Sequence, residues 1–246
     1  DDPKLAVWLE GNWYIQDVSD PLTYYNYANN IYLTNKMKQV NGRRREPIPD
    51  SLKKFLSGIR LIDSRFYRKY NLLETKIWPR LLKNRLDKEV VKILKEYEPD
   101  AEDLTLVPVD TTYYLMVKLP DSIIRIDDLG DGARSALFLT SILIGVENTA
   151  VLIEEPENHQ HPGGVYTVLD FALNISKRKR IQLFITTHSI ETIVITKQLA
   201  KQNNLSFKLF FLERNAQGEV DIRALDGVGL DLVRKLGLDP RFLYAF

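Results

Sequence analysis

Short apolar runs separated by polar turns characterise the second half of the chain. Residues 151–153 read Val-Leu-Ile between turn-forming residues, which predicts a strand buried on both faces of a parallel sheet. The run 181–186 predicts a second buried strand, and residues 136–144 predict a helix ahead of the first strand. Ser189 is a good N-cap for another helix, which ends near residue 201. These elements predict an α/β fold in which helices flank a parallel sheet.

The first half of the chain shows different patterns. Apolar and polar residues alternate near residues 5–15, which predicts strands in a segment rich in Trp and Tyr. Residues 74–97 predict one helix, because their apolar residues recur at helical spacing. The apolar side of this helix carries Ile77, Leu81, Leu82, Leu86, Val90, Ile93 and Leu94. Near the C-terminus, residues 207–212 and 220–225 predict an antiparallel pair of strands.

We expect three regions: a β-rich aromatic segment at 1–35, a basic and mostly helical insertion or arm at 36–119, and the α/β lobe at 120–246. The charge distribution sets the second region apart. Residues 36–95 contain 18 Lys or Arg and 6 Asp or Glu, although the whole chain has a formal net charge of +1. Such a region either faces the phosphate backbone of DNA or covers an acidic surface of the same protein. The sequence leaves both interpretations open.

The composition excludes several classes of protein. The 246 residues contain no Cys, which excludes disulfides and thiolate metal sites. No apolar run approaches the roughly 18 residues of a membrane helix, and no signal peptide is visible. We therefore expect a protein without a membrane partner, in the cytoplasm.

Two carboxylates follow the strand predicted at 151–153. Parallel sheets bind ligands at the carboxyl ends of their strands, where Glu154 and Glu155 lie. Glu154 offers the oxygen donors that Mg²⁺ prefers, and Glu155 is placed to act as a general base on an attacking water. The competing interpretation is a pair of glutamates at a strand end that merely faces solvent.

Two other segments add candidate chemistry. His188 follows the second predicted strand, from which it could contact a terminal phosphate or orient a water, although a lone His at a strand end is commonly a surface residue. Gly130 and Gly132 allow positive φ and close backbone approach before the helix predicted from residue 136. Amides at a helix N-terminus favour an anion, whereas an ordinary Asp-Gly turn would leave the same pattern.

Taken together, these segments resemble the C-terminal half of an ABC-class ATPase of the OLD and RecF-like group, which is related to the SMC proteins. The similarity rests on three segments in order: Asp128-Leu-Gly-Asp-Gly-Ala-Arg134, Ile153-Glu-Glu-Pro-Glu-Asn-His-Gln-His-Pro162 and Thr186-Thr-His-Ser189. The resemblance implies an ABC-type P-loop NTPase lobe that uses ATP and Mg²⁺ and forms a homodimer across ATP. It makes Glu154 the magnesium ligand, Glu155 and His188 catalytic, and Leu129, Gly130, Asp131, Gly132 and Arg134 the signature loop that contacts ATP held by the other subunit.

Three departures from the family pattern qualify this expectation. Gly130 stands where the common signature has Ser, and Glu154 replaces the usual Walker B Asp. The 246 residues contain no Gly-x-x-x-x-Gly-Lys-Ser/Thr phosphate loop. We therefore expect an N-terminal P-loop lobe to come from outside this sequence, and the chain alone to be inactive.

The biological task remains open at this level. As an ATPase, the protein would perform a nucleic-acid or defence task, with DNA and a nuclease as candidate partners. The alternative is a non-hydrolytic DNA-binding or scaffold module of a nuclease-associated complex.

Overall fold

A computed structural model of the chain describes residues 4–9, 12–17, 38–39, 50–63, 72–214 and 220–235. Before residue 50 only backbone is described, as three antiparallel strands: β1 Lys4–Leu9, β2 Asn12–Asp17 and β3 Lys38–Gln39. These strands confirm the prediction near residues 5–15. The basic cluster Arg43, Arg44 and Arg45 lies outside the described residues.

The chain divides into two units, Asp1–Thr186 and Thr187–Phe246. The later elements of the first unit are, in chain order, α1 Asp50–Gly58, β4 Arg60–Asp63, a π-helical turn Leu73–Ile77, α2 Trp78–Lys83, α3 Asp87–Leu94, β5 Asp103–Val109, β6 Thr112–Lys118, β7 Ile123–Arg125, a 3-10 turn Ile126–Leu129, α4 Asp131–Ile144, β8 Ala150–Glu154, α5 Pro162–Lys179 and β9 Gln182–Thr186.

A parallel sheet of β4, β8 and β9, with β8 in the centre, forms the middle of the first unit. The helix α4 is apolar around most of its circumference and is buried along most of its length, between α3 and α5. It shares one core with Val151 and Ile153 of β8. The α/β architecture with helices flanking a parallel sheet is thus as predicted.

The predicted burial of β8 on both faces is wrong for Leu152. Side chains alternate along a strand, so Leu152 points away from the face of Val151 and Ile153. In register with Leu61 and Phe184, it forms a row whose members are 38%, 40% and 48% exposed, respectively. The predicted burial of the second strand is also wrong, since no residue of β9 is fully buried. In β8, burial is concentrated on the face of Val151 and Ile153.

The region 36–119 contains more strand than the sequence predicted. Its β4 is the neighbour of β8 in the parallel sheet, and β5 and β6 form an antiparallel sheet with β7. The helix expected at 74–97 is interrupted, because the chain turns between α2 and α3, where Arg85 has a φ of 57°. This turn breaks the helical periodicity, and Leu82 is 43% exposed while Leu81 is buried.

The second unit contains α6 Ile190–Gln202, the antiparallel pair β10 Lys208–Arg214 and β11 Val220–Asp226, and α7 Gly227–Lys235. Both the helix and the strand pair confirm predictions. Ser189 is the N-cap of α6, since its Oγ accepts the Thr192 N–H at 3.2 Å. Within the described ranges, no helix has both the length and the apolar character needed to span a bilayer.

Candidate active site

Acidic side chains meet at the carboxyl edge of the parallel sheet. The register places Glu154 of β8 between Asp63 of β4 and Thr186 of β9. Residues in register share a face of the sheet, so the two carboxylates are neighbours. Asp63 is 3% exposed, and Glu154 is half-buried. Asp63 was not predicted, because its only signal in the sequence is an acidic residue after the apolar pair Leu61 and Ile62.

The chain turns sharply at Glu155, directly after β8. Glu155 has a φ of 46°, in the left-handed region that costs a non-glycine residue about 1–3 kcal/mol. Its N–H still donates to the Thr186 carbonyl at 3.0 Å, so the turn stays attached to the neighbouring strand. Strained backbone of this kind concentrates at functional sites, which makes Glu155 the most distinctive residue of this edge.

A neighbouring amide holds the Glu155 carboxylate. Asn158 Nδ2 donates to Glu155 Oε2 at 2.6 Å, and the Asn158 N–H donates to the Glu155 carbonyl at 3.0 Å. A carboxylate that accepts a side-chain hydrogen bond has a restricted orientation, which a general base requires. Asn158 was not predicted as a site residue, because asparagine is common in turns.

The donor set at this edge fits magnesium only in part. In the part of the chain that the structure describes, no group of three or more His, Asp or Glu side chains could hold a metal ion. Mg²⁺ is commonly bound by one or two carboxylates, with phosphate oxygens and water completing its octahedral shell. Glu154 and Asp63 supply that number of carboxylates, so these residues fit an ion that arrives with a phosphate ligand.

The first and second sequence motifs lie side by side. Gly130, with a φ of 88°, is the N-cap of α4. A Cβ on Gly132 would lie 3.1 Å from the His159 carbonyl oxygen and 3.4 Å from Gln160 Oε1. We call residues 129–132 the glycine loop and residues 155–160 the carboxylate loop. The two loops approach so closely that Gly132 has no room for a larger side chain without displacement of a neighbour.

Gln160 connects the two loops through hydrogen bonds. Its Nε2 donates to the Gly132 carbonyl at 2.9 Å, and its Oε1 accepts the Tyr97 hydroxyl proton at 2.9 Å. Burial raises the pKa of Tyr97 to about 12, so the phenol remains a donor at physiological pH. Neither residue was predicted, because the partners of these bonds are distant in the sequence.

The side chain of Arg134 lies inside the protein, away from the surface of the glycine loop. Its guanidinium pairs with both Glu74 oxygens, at 2.8 and 3.3 Å, and with Asp127 Oδ1 at 3.0 Å. The Arg134 and Glu74 side chains are only 7% and 3% exposed. This arrangement ties the start of α4 to the π-helical turn. Of the predicted loop residues, Gly130 is exposed, while Leu129 and Asp131 are half-buried.

His188 lies in the second unit, just before α6. Its side chain is exposed, and the adjacent Ser189 N–H donates to Thr187 Oγ1 at 2.9 Å. Its contact with a phosphate or water stays a prediction from the resemblance.

Comparisons with known proteins identify the family. A family model described as an AAA ATPase domain matches residues 16–193. An uncharacterized protein of Methanocaldococcus jannaschii is 25% identical over 114 residues, which cover 46% of this chain and 99% of that protein. An ATP/GTP phosphatase of Helicobacter pylori is 28% identical over 142 residues, which cover 54% of this chain and 37% of that protein. This chain therefore matches little more than a third of the phosphatase's length.

Among solved structures, the SMC head domain from Thermotoga maritima matches with a TM-score of 0.47 and 10% identity, over 91% of this chain and 73% of that one. The range of the family model includes the glycine loop, the carboxylate loop and the whole parallel sheet. It also covers most of the chain, and it confirms the resemblance to an ATP-binding ATPase. The chain belongs to the AAA ATPase domain family.

Proposed function

We propose that this chain supplies the catalytic carboxylates of a magnesium-dependent ATP hydrolysis site. One observation supports this most strongly: Glu155 has a left-handed backbone at the end of the central strand, and its carboxylate accepts a hydrogen bond from Asn158. Strained backbone at a strand's carboxyl end, together with a side-chain hydrogen bond that orients the carboxylate, suits a positioned general base. Membership of an ATPase family supplies the reaction class.

Each residue at the edge has a distinct task in this proposal. Glu154, with Asp63 beside it, would hold a magnesium ion, which would supply neutralisation of charge on the phosphates. Glu155 accepts a proton from water as the water oxygen attacks the γ-phosphorus. The bond from that phosphorus to the bridging oxygen then breaks, and ADP and phosphate leave. Asn158 keeps the Glu155 carboxylate oriented toward the water.

The nucleotide needs further contacts that this sequence does not contain. Because the 246 residues have no phosphate-loop motif, we propose that a P-loop lobe outside them binds the β- and γ-phosphates. In a dimer, the glycine loop contacts ATP held by the other subunit. Gly130 and the first amides of α4 suit this contact, since a helix N-terminus favours negative charge.

Replacement of Glu155 by Gln in the complete protein tests the proposal. This variant keeps the shape of the side chain, so ATP binding should persist, while turnover falls by about 100-fold to 10,000-fold, because the general base is gone. Glu147→Gln is the matched control, an identical change at an exposed site outside both loops. Steady-state ATP hydrolysis and equilibrium binding are measured on both. Turnover that equals the control's would show that Glu155 is not the base.

A second function concerns the basic region. Lys76, Arg80, Lys83, Arg85, Lys92 and Lys95 are all exposed between the π-helical turn and the end of α3. This exposure favours an external polyanion over an acidic surface of the same unit, and we propose the DNA phosphate backbone. Ala substitution of Arg80 and Lys83 should weaken DNA binding regardless of sequence and reduce its salt dependence. DNA binding that these changes leave untouched would show that Arg80 and Lys83 do not contact the DNA phosphate backbone.

A further inference from the structure

We propose that Gln160 is a positioning residue that couples the glycine loop to the Glu155 carboxylate. This inference rests on the proposed ATPase function for its consequence, but the coupling itself is a property of the fold. Through this coupling, contact of the glycine loop with ATP in one site would change the position of Glu155, the general base that acts on ATP in the other site.

The first step is the confinement of the Gln160 side chain. The amide uses its donor on Gly132 and its acceptor on Tyr97, each at 2.9 Å. On the side of α5, a Cβ added to Gly164 would lie 2.6 Å from Gln160 Oε1 and 3.4 Å from the Tyr97 hydroxyl. The side chain is therefore enclosed by three separate parts of the first unit, and it has little freedom to change rotamer without breaking a contact.

The second step is the strain in the carboxylate loop. Two of its non-glycine residues have positive φ, Glu155 at 46° and His159 at 65°. Such a conformation persists only where surrounding contacts impose it. The Glu155 N–H bond to Thr186 fixes the start of the loop, and Gln160 fixes its end.

The third step follows the connection to the reacting group. Within the loop, the Gln160 N–H donates to the Glu157 carbonyl at 3.0 Å, and Asn158 holds Glu155 through its side chain and its N–H. A shift of Gly132 therefore moves Gln160, and then the segment that orients the Glu155 carboxylate. Since the glycine loop is proposed to contact the other subunit's ATP, Gln160 would couple hydrolysis at one site to occupation of the other.

The coupling is tested first without nucleotide, by hydrogen exchange of backbone amides in the complete protein. Gln160→Met keeps the length of the side chain and removes both hydrogen bonds, so exchange should rise in the glycine loop and the carboxylate loop together. Gln182→Met is the control, with the same change at an exposed site at the start of β9. Exchange in both loops equal to wild type would overturn the inference, whether or not the protein hydrolyses ATP.

A second variant separates hydrogen bonding from packing. Gln160→Glu keeps an acceptor for Tyr97 but presents a charged oxygen to the Gly132 carbonyl, so the loops should loosen at neutral pH. When the new carboxyl takes up a proton at lower pH, it can donate to Gly132 again. Exchange relative to wild type at each pH should then recover in this variant, whereas in Gln160→Met it should stay high. If the exchange of Gln160→Glu relative to wild type does not change with pH, the hydrogen bond from Gln160 to Gly132 does not position the loop.

The kinetic consequence is a selective loss of kcat. A misplaced catalytic group lowers the rate by up to about 100-fold. We expect the kcat of Gln160→Met to fall by about 10-fold to 100-fold. The KM for ATP should change little, because the phosphate-loop contacts are untouched. Loosened loops with wild-type kcat would show that Gln160 only packs, which contradicts the inference. If wild-type protein shows no hydrolysis at all, the proposed function fails, and the exchange measurement alone decides the coupling.

Discussion

At the scale of single residues, Asn158 decides how well Glu155 is oriented. Asn158→Leu removes the 2.6 Å bond to Glu155 Oε2, so turnover should fall by about 10-fold to 100-fold through misplacement of the base. Asn174 is a matched control, since its Nδ2 donates to Asp170 Oδ1 at 3.0 Å on the exposed surface of α5. Asn174→Leu should leave kcat unchanged, and steady-state kinetics compare the two variants. Equal kcat in both would mean that Asn158 does not orient the base.

At the scale of elements, the buried ion pair of Glu74 and Arg134 joins the π-helical turn to α4. Arg134→Met leaves Glu74 charged and buried without this partner, which costs about 3–5 kcal/mol in comparable pairs. The double replacement Glu74→Leu with Arg134→Met should recover most of this loss, because two apolar side chains can fill the same space. Denaturant unfolding measures these changes in the complete protein.

An exposed pair provides the comparison for this prediction. Lys88 and Asp103 lie 2.9 Å apart with side chains 68% and 31% exposed, and such pairs contribute at most about 1 kcal/mol. Lys88→Met should therefore have a small effect on the free energy of unfolding. A cost for Arg134→Met as small as that for Lys88→Met would contradict a structural role for the buried pair.

The sequence predicted the elements that local pattern determines. Apolar runs located β8, β9 and α4, and the Ser189 cap located the start of α6. The interruption between α2 and α3 was missed because Asn84 and Arg85 do not forbid helix. The turn is closed by a backbone hydrogen bond from the Leu86 N–H to the Leu81 carbonyl at 2.9 Å. The strained φ of Glu155 was equally invisible, since glutamate gives no signal for left-handed backbone.

Contacts between distant residues account for the other differences in the site. Glu74 and Arg134 are 60 positions apart, and Tyr97 and Gln160 are 63 apart. A single sequence carries no sign that such residues meet. Glu154 and Glu155 could be proposed because both follow one predicted strand, whereas Asp63 joins them only through the register of β4 with β8.

At the scale of the whole molecule, magnesium and ATP are proposed to meet at the carboxyl edge of the parallel sheet. A test of this proposal requires the complete protein, because this chain supplies the carboxylates and the glycine loop but contains no phosphate-loop motif. Fe²⁺ can take the place of Mg²⁺ and, with ascorbate and peroxide, generates radicals that cut the backbone beside the bound ion. The positions of the cuts therefore report where the metal lies.

The most direct measurement is this cleavage pattern in the complete protein, with and without ATP. We expect cuts beside Glu154 and Asp63 that depend on ATP, because two carboxylates need phosphate oxygens to complete the metal's shell. Glu154→Gln should remove these cuts, while Glu147→Gln should keep them. Cuts confined to parts of the chain away from both this edge and the glycine loop, or cuts at this edge that are as strong without ATP, would contradict ATP hydrolysis at this edge.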